Sequence, residues 1–538
     1  MKNLRWGSAI ALACLMSTAP RAFGQHEHGV AETAKIGSVD FQISCDPAVR
    51  ADFNRGVALL HSFWYRKASE TFAAIAKADP SCGMAEWGVA MSHYRQLWDP
   101  PTPTDLQLSS EAVQKAQAAG AKTQRERDYI AAMETFYKDP ATRSQVVRSL
   151  AYEKAMEGIY VRYPQDYEAA IFYALALRAN APEADKTYAN QKKASAILEK
   201  LFVEHPEHPG LAHYIIHCND YPSLAPNALD AARRYSKIAP EAPHALHMPS
   251  HIFTRLGLWQ ESIDSNVTSS AAAKKNGLVG DALHAMDYLA YAYLQEGRDR
   301  DARAVLETMP RVQSSDPAYY AGLFATASIP SRYALERHNW AEAAALQLTP
   351  EIFPGGRYAW TESSIYFARA LGAARMGSAA AARADLQDLI SLRDKLLGSN
   401  DGYSAGQVDI QRESVSAWIS FAEGSKEDAL AAMKVGADHE DATDTSPVTP
   451  GAILPARELY GEMLLESGKG DLALKAFETS LRNAPARFHS VYGAARAAKM
   501  IGDKAKAAEY FAKLLTLCAQ GDGERPEIQE ASASIKGK

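Results

Sequence analysis

The sequence predicts an all-α protein: a tetratricopeptide-repeat α-solenoid, a right-handed superhelix of helix–turn–helix units. Three observations predict it. Segments about 34 residues apart carry glycine, alanine and an aromatic residue at matching places. Apolar residues follow a helical period, with no sustained alternation of the kind strands need. A hydrophobic content of 47% beside 23% charged residues supplies a buried core and excludes wholesale disorder.

The chain opens with MKNLRWGSAIALACLMSTAPRAFG. Lys2 and Arg5 precede an apolar run from Ala9 to Met16, and Ala22-Phe23-Gly24 offers the small residues that a signal peptidase reads. Residues 1–24 are therefore expected to be a cleavable secretory signal, too short for a permanent membrane anchor. Cys14 as a lipidation site is the lesser reading, because Ala11-Leu12-Ala13 fits a lipobox poorly. Residues 25–44, with His26 and His28, are expected to be a flexible segment, 45–518 the solenoid, and the polar stretch 519–538 a flexible tail. The mature protein is then periplasmic or secreted, with no later segment apolar enough to span a membrane. The formal charge is −6, and no basic stripe offers nucleic acid a footprint.

The repeat is clearest near the C-terminus. In LPARELYGEMLLESGKGDLALKAFETSLRNAP, Gly461 lies in a first helix and Gly468 at the turn. Ala473 and Phe477 lie in a second helix, and Pro485 closes the unit. One period on come Gly502, Ala507 and Phe511; near the start come Gly56, Ala68, Phe72 and Pro80. Glycine lets the chain reverse, alanine lets helices approach, and the aromatic fills the gap between neighbours. Loops are expected near 96–125, 310–322, 390–405 and 434–452, where Pro, Gly, Ser and Asp cluster. Cys45 and Cys82 flank the first hairpin and can meet as a disulfide in an oxidising compartment; Cys218 and Cys518 read as free.

Eight of the 15 histidines lie between His205 and His284. His213 and His217 stand four apart, on one helix face, and so do His247 and His251, each one period beyond its counterpart. With Gly257 at the turn, His244, His247 and His251 take the second, fifth and ninth places of a first helix. His284, Asp287 and Tyr291 take the equivalent places one repeat later. In such solenoids these places face the concave groove. Helices packed 8–10 Å apart let imidazoles converge at about 2 Å from a common point, as zinc or copper requires. Asp287 is expected to ligate or to orient a histidine. Pro249 is expected to kink the helix between His247 and His251. Ile329-Pro330-Ser331-Arg332 repeats that turn, so Arg332, with Arg255 and Tyr291, is expected to contact what the groove binds, Arg332 as an anion contact. His205 and His208, beside prolines, read as hydrogen-bonded loop residues, and His61, His93, His338, His439 and His489 as structural.

No G-x-S-x-G elbow, P-loop or paired CxxC occurs, so no nucleotide cofactor is indicated. Both His pairs also lack the glutamate of HExxH peptidases, carrying Tyr-Ile-Ile and Met-Pro-Ser instead.

The segments FNRGVALLHSFWYRKASETF, ADPSCGMAEWGVAM, AHYIIHCND, HALHMPSHIFTRLGLW and SPVTPGAILPARELYGEMLLE give the chain its resemblance to a group of secreted bacterial tetratricopeptide-repeat proteins with a His-rich signature. The resemblance covers most of 45–515. It implies a right-handed superhelix with the histidines facing the groove and adds weight to the Cys45–Cys82 pairing. It carries no catalytic assignment. Two readings stay open: a groove that holds copper or zinc, with or without catalysis, and a non-enzymatic scaffold that binds a small molecule, peptide or protein there.

Overall fold

The computed structural model describes residues 35–97, 101–309, 320–348 and 358–536. Every regular element among them is helical, and successive helices pack on their neighbours as antiparallel pairs in a tetratricopeptide solenoid. The reason is local. Phe72 is fully buried between two first helices, and a β-carbon on Gly56 would come within 2.7 Å of its ring. Phe477 repeats this against Gly461, where a β-carbon would come within 2.8 Å. Gly257 and Gly468 sit at turns with φ of 69° and 72°, the left-handed region that a side chain disfavours. No helix among the described residues is long and apolar enough to cross a membrane.

Both ends fold inward on the middle of the solenoid. Near the N-terminus, Cys45 and Cys82 are disulfide-bonded with Cα atoms 5.0 Å apart, and the helix Arg50–His61 packs on Pro209–Asn219. From the other end, the Trp259 indole donates to the Ala486 carbonyl at 2.9 Å, and the Phe488 amide donates to Gln295 Oε1 at 2.9 Å. Fully buried Arg487 meets Glu336 at 2.9 Å and Glu458 at 2.7 Å and donates to the Tyr291 hydroxyl at 2.8 Å. A buried pair of this kind contributes to stability mainly by what its rupture would leave unpaired.

Several expected loops are helix. Pro103–Ala119 fills most of 96–125: Thr102 and Asp105 form a capping box and Pro103 takes the first turn, so the prolines mark a helix start. Ala379–Gly398 and Gly402–Ala422 leave only three residues between them, because Asn400 makes the reversal at φ 61°. Lys426–Asp441 carries helix into 434–452. Of 310–322, Tyr320 onward is helical and the rest lies outside the described residues. The expected flexible segments also differ. Within 25–44, Ile36 and Phe41 are buried; at the other end Pro526–Lys536 is a helix that buries Ile528 and Ala531, while Arg525 binds Asp299 at 3.0 Å. Residues 1–24, with the signal segment, and His26 and His28 lie outside the described residues.

Candidate functional site

Three neighbouring first helices carry the central histidines. Pro209 and Pro243, one period apart, each begin a helix where a missing N–H costs nothing. Pro209–Asn219 presents His213 and His217, and Pro243–His247 presents His244 and His247. Pro249 then starts a second short helix, Pro249–Leu256, with His251. Pro249, where a kink is expected, divides the two helices while Met248 keeps α-helical angles of φ −52° and ψ −35°: the Met248 amide bonds the His244 carbonyl at 2.9 Å, and His251 bonds Met248 at 3.1 Å. Val279–Gln295 adds His284. The comparable Pro330 leaves Tyr320–Leu335 one continuous helix.

The six imidazoles gather as two adjacent groups: His213, His217 and His244, and then His247, His251 and His284. Within each, one ligand atom per residue lies within 4.8 Å of the others. His213 Nε2 is 3.0 Å from His217 Nε2 and 3.1 Å from His244 Nε2, and His247 Nε2 is 2.9 Å from His251 Nε2. The His244 and His247 ring centroids, 6.3 Å apart, join the two groups. Ligand atoms of a tetrahedral ion bound at about 2.0 Å stand about 3.3 Å apart, close to this spacing.

The far side of three rings is anchored. His213 Nδ1 donates to the His61 carbonyl at 2.6 Å, His247 Nδ1 to Asn266 Oδ1 at 2.7 Å, and His251 Nδ1 to Asp220 Oδ2 at 2.9 Å. Asn266 is held in that orientation because its amide nitrogen donates to the Ser262 carbonyl at 2.8 Å. A neutral imidazole carries one proton, so these bonds leave Nε2 as the lone pair on His213 and His247, the two of these rings that burial keeps neutral. His247 Nε2 and His251 Nε2 face each other at 2.9 Å, a gap that a cation, a proton or a metal ion, bridges.

Burial sets the electrostatics. None of the six is more than 7% exposed, so they line a sealed interior and not an open wall. Desolvation draws the pKa of His213 down to about 3, and those of His217, His244, His247 and His284 well below the ordinary 6.5. Burial pushes Asp220 upward, but Arg255 and His251 overcome it and bring its carboxyl down to about 2. Five imidazoles are thereby kept neutral, the form that ligates.

Two covers close the space. Phe63 stacks over His217 and His244, with centroids at 5.6 and 5.4 Å, and meets His213 edge-on at 4.4 Å. Its φ is 52°, in the turn position that glycine holds at Gly257 and Gly468. The other cover is the strap 443–455. Asp444 binds Lys186 at 2.8 Å and Tyr188 at 3.0 Å, and Tyr288 donates to the Pro447 carbonyl at 3.3 Å. The expected trough is thus plugged.

That closure gives four of the expected contact residues other partners. Arg332 is fully buried, pairs with Asp287 at 3.1 Å, and donates to the Gly451 and Ala452 carbonyls at 2.6 and 2.7 Å and to Thr449. It holds the strap and is not placed to meet an anion, and Asp287 is its counter-ion outside both imidazole groups. Arg255 pairs with Asp220 at 2.9 Å, and Tyr291 accepts from Arg487. Arg255 and Tyr291 also line a cavity of about 260 Å³ beside the strap, with Trp360, Phe367 and Gln411.

Residues not singled out from the sequence complete the site: Asp220, Asn266, Phe63 and the His61 carbonyl. Asp220 directly follows His217-Cys218-Asn219, the one local signal; Asn266 and Phe63 carry none. His61, read as structural, and His208, read as a hydrogen-bonded loop residue, converge on Glu168, and His338 and His489 on Glu462. Cys218 and Cys518 are free and buried.

No known protein family matches the chain, and no curated protein matches it. Among solved structures, the human IFIT1 dimer with m7Gppp-AAAA aligns over 81% of this chain and 90% of its own, at 13% identity and a TM-score of 0.35. A chain of the Naa15/Naa10 complex bound to HypK-THB aligns over 91% of this chain and 74% of its own, at 12% identity and a TM-score of 0.23.

Proposed function

We propose that this solenoid is a transition-metal-binding protein of the periplasm or extracellular space, holding copper or zinc in the two buried imidazole groups. One observation carries the reading: the Nε2 atoms of His247 and His251 face each other at 2.9 Å while Asn266 and Asp220 take both Nδ1 protons. A metal cation between the two Nε2 atoms would use both as ligands and stabilise that register. The anchors have the character of partners that orient metal-bound histidine. Imidazole-only donors suit copper and zinc. A three-histidine set with a fourth position left for water or substrate is also the donor set of a Lewis-acid site, so catalysis at either group is compatible with the reading. The secretory signal and the resemblance to secreted His-rich proteins support the location.

Metal analysis of untagged protein tests this. Wild type should retain copper or zinc in stoichiometric amount after dialysis, and His247→Ala/His251→Ala should lose part of it. A preparation that stays metal-free after incubation with both ions contradicts the reading. The scaffold reading draws on the cavity beside Arg255 and Tyr291, which has room for a small molecule or a short peptide segment. It predicts a ligand whose binding is insensitive to chelator.

A further inference from the structure

Apart from the two all-imidazole groups, a third set of side chains closes on one point. His61 ends the helix Arg50–His61, Glu168 lies in the first turn of Tyr167–Ala179, and His208 precedes Pro209–Asn219. None is more than 2% exposed. His61 Nε2 is 2.9 Å from Glu168 Oε2, and His208 Nε2 is 2.9 Å from Glu168 Oε1. His61 Nδ1 meets the Tyr214 hydroxyl at 3.0 Å. A β-carbon on Gly210 would come within 2.6 Å of His61 Nδ1, so glycine there makes room for the ring.

Two features mark this set out. Among the described residues the Glu168 carboxylate has these two imidazoles as its ion-pair partners, and Arg125, which also feels its charge, is paired with Asp166 at 2.5 Å. His208 Nδ1 is buried with no hydrogen-bond partner among the described residues. An enclosed carboxylate needs a formal positive charge near it, and a divalent ion held between the three side chains would supply one.

We propose that His61, Glu168 and His208 form a separate site for one borderline divalent ion of the zinc class. Two imidazoles and a carboxylate are a recognised zinc donor set, harder than three imidazoles. On loading, each Nε2–H that now points at Glu168 gives way to the ion, and the ring proton moves to Nδ1. In His61 that N–H then donates to Tyr214, so the hydroxyl orients the ring. The ion's charge neutralises Glu168. The site is structurally tied to its neighbour, because the His61 carbonyl anchors His213.

The test uses the full untagged chain, stripped with chelator and dialysed against Zn(II) alone, with bound zinc counted for wild type, Glu168→Gln and His247→Ala/His251→Ala. Glutamine keeps the size and an acceptor oxygen but removes the charge. Glu168→Gln should hold one equivalent fewer than wild type while keeping the zinc that the His247/His251 variant loses. Glu168→Gln that binds as much zinc as wild type, with equal affinity, overturns the proposal, as does a wild type that binds none. Should Glu168→Gln fail to fold by circular dichroism, His208→Asn, which leaves the His61–Glu168 pair intact, is read in the same way. The two metal proposals fail separately: zinc that Glu168→Gln removes entirely and His247→Ala/His251→Ala leaves untouched keeps this site and discards the other.

Discussion

Acidifying the metal-free protein from pH 7.5 to 5.5 should remove roughly 5 kcal/mol of its stability, a large share of what a typical domain has. His213, His217, His244, His247 and His284 all have folded pKa values drawn below 6.5 by burial. A group depressed in this way contributes fully above the unfolded pKa and loses that contribution as pH falls toward the folded value. Between pH 7.5 and 5.5 the unfolded chain takes up protons that the folded chain refuses, at about 1 kcal/mol per imidazole. His61 and His489, also lowered, add in the same direction. Two groups oppose them. His338 is held up by Glu462 against the opposite pull of burial, and burial lifts Glu440 to about 7, so both gain stability on acidification. Glu440 is partly exposed, which limits its share to about 1 kcal/mol. Asp220 titrates below this window. The assay is urea denaturation of chelator-treated protein at the two pH values. An unfolding free energy that is flat or rising on acidification refutes the claim that the imidazoles are buried and neutral.

Three further outcomes follow from the same contacts. Asp220→Asn should weaken metal affinity 10- to 100-fold, since it weakens the anchor of His251, and should destabilise by about 3 kcal/mol, since it leaves buried Arg255 unpaired; competition dialysis and denaturation read the two effects. Phe63→Gly relieves a left-handed side chain but uncovers the His213 group, so stability should change by less than about 1 kcal/mol while metal release to a chelator accelerates. Cys45→Ser opens a loop of 37 residues and should cost about 3–4 kcal/mol by chain entropy, seen as a lower urea midpoint.

The solenoid was legible because its signals are local: Gly56 and Phe72, or Gly461 and Phe477, meet within one repeat. The histidine placement was legible for the same reason, as spacings of four and of one period map onto adjacent first helices. Burial was not, because what covers those histidines comes from far along the chain. Phe63 and the strap 443–455 are brought over them by tertiary folding that no period encodes. The partnership of His61, Glu168 and His208 is hidden similarly, its members being joined only when the N-terminal repeat docks on Pro209–Asn219. At the edges, composition misled: the prolines before Asp105 and the proline at 526 begin helices, and two apolar residues, Ile528 and Ala531, suffice to dock the last one.

Anomalous diffraction from crystals soaked separately in Zn(II) and Cu(II) tests the central claim most directly. The account predicts a peak about 2 Å from Nε2 of both His247 and His251, and a second bounded by His213, His217 and His244. Soaked crystals with anomalous signal only at surface residues, and with no peak between these six imidazoles, would contradict it.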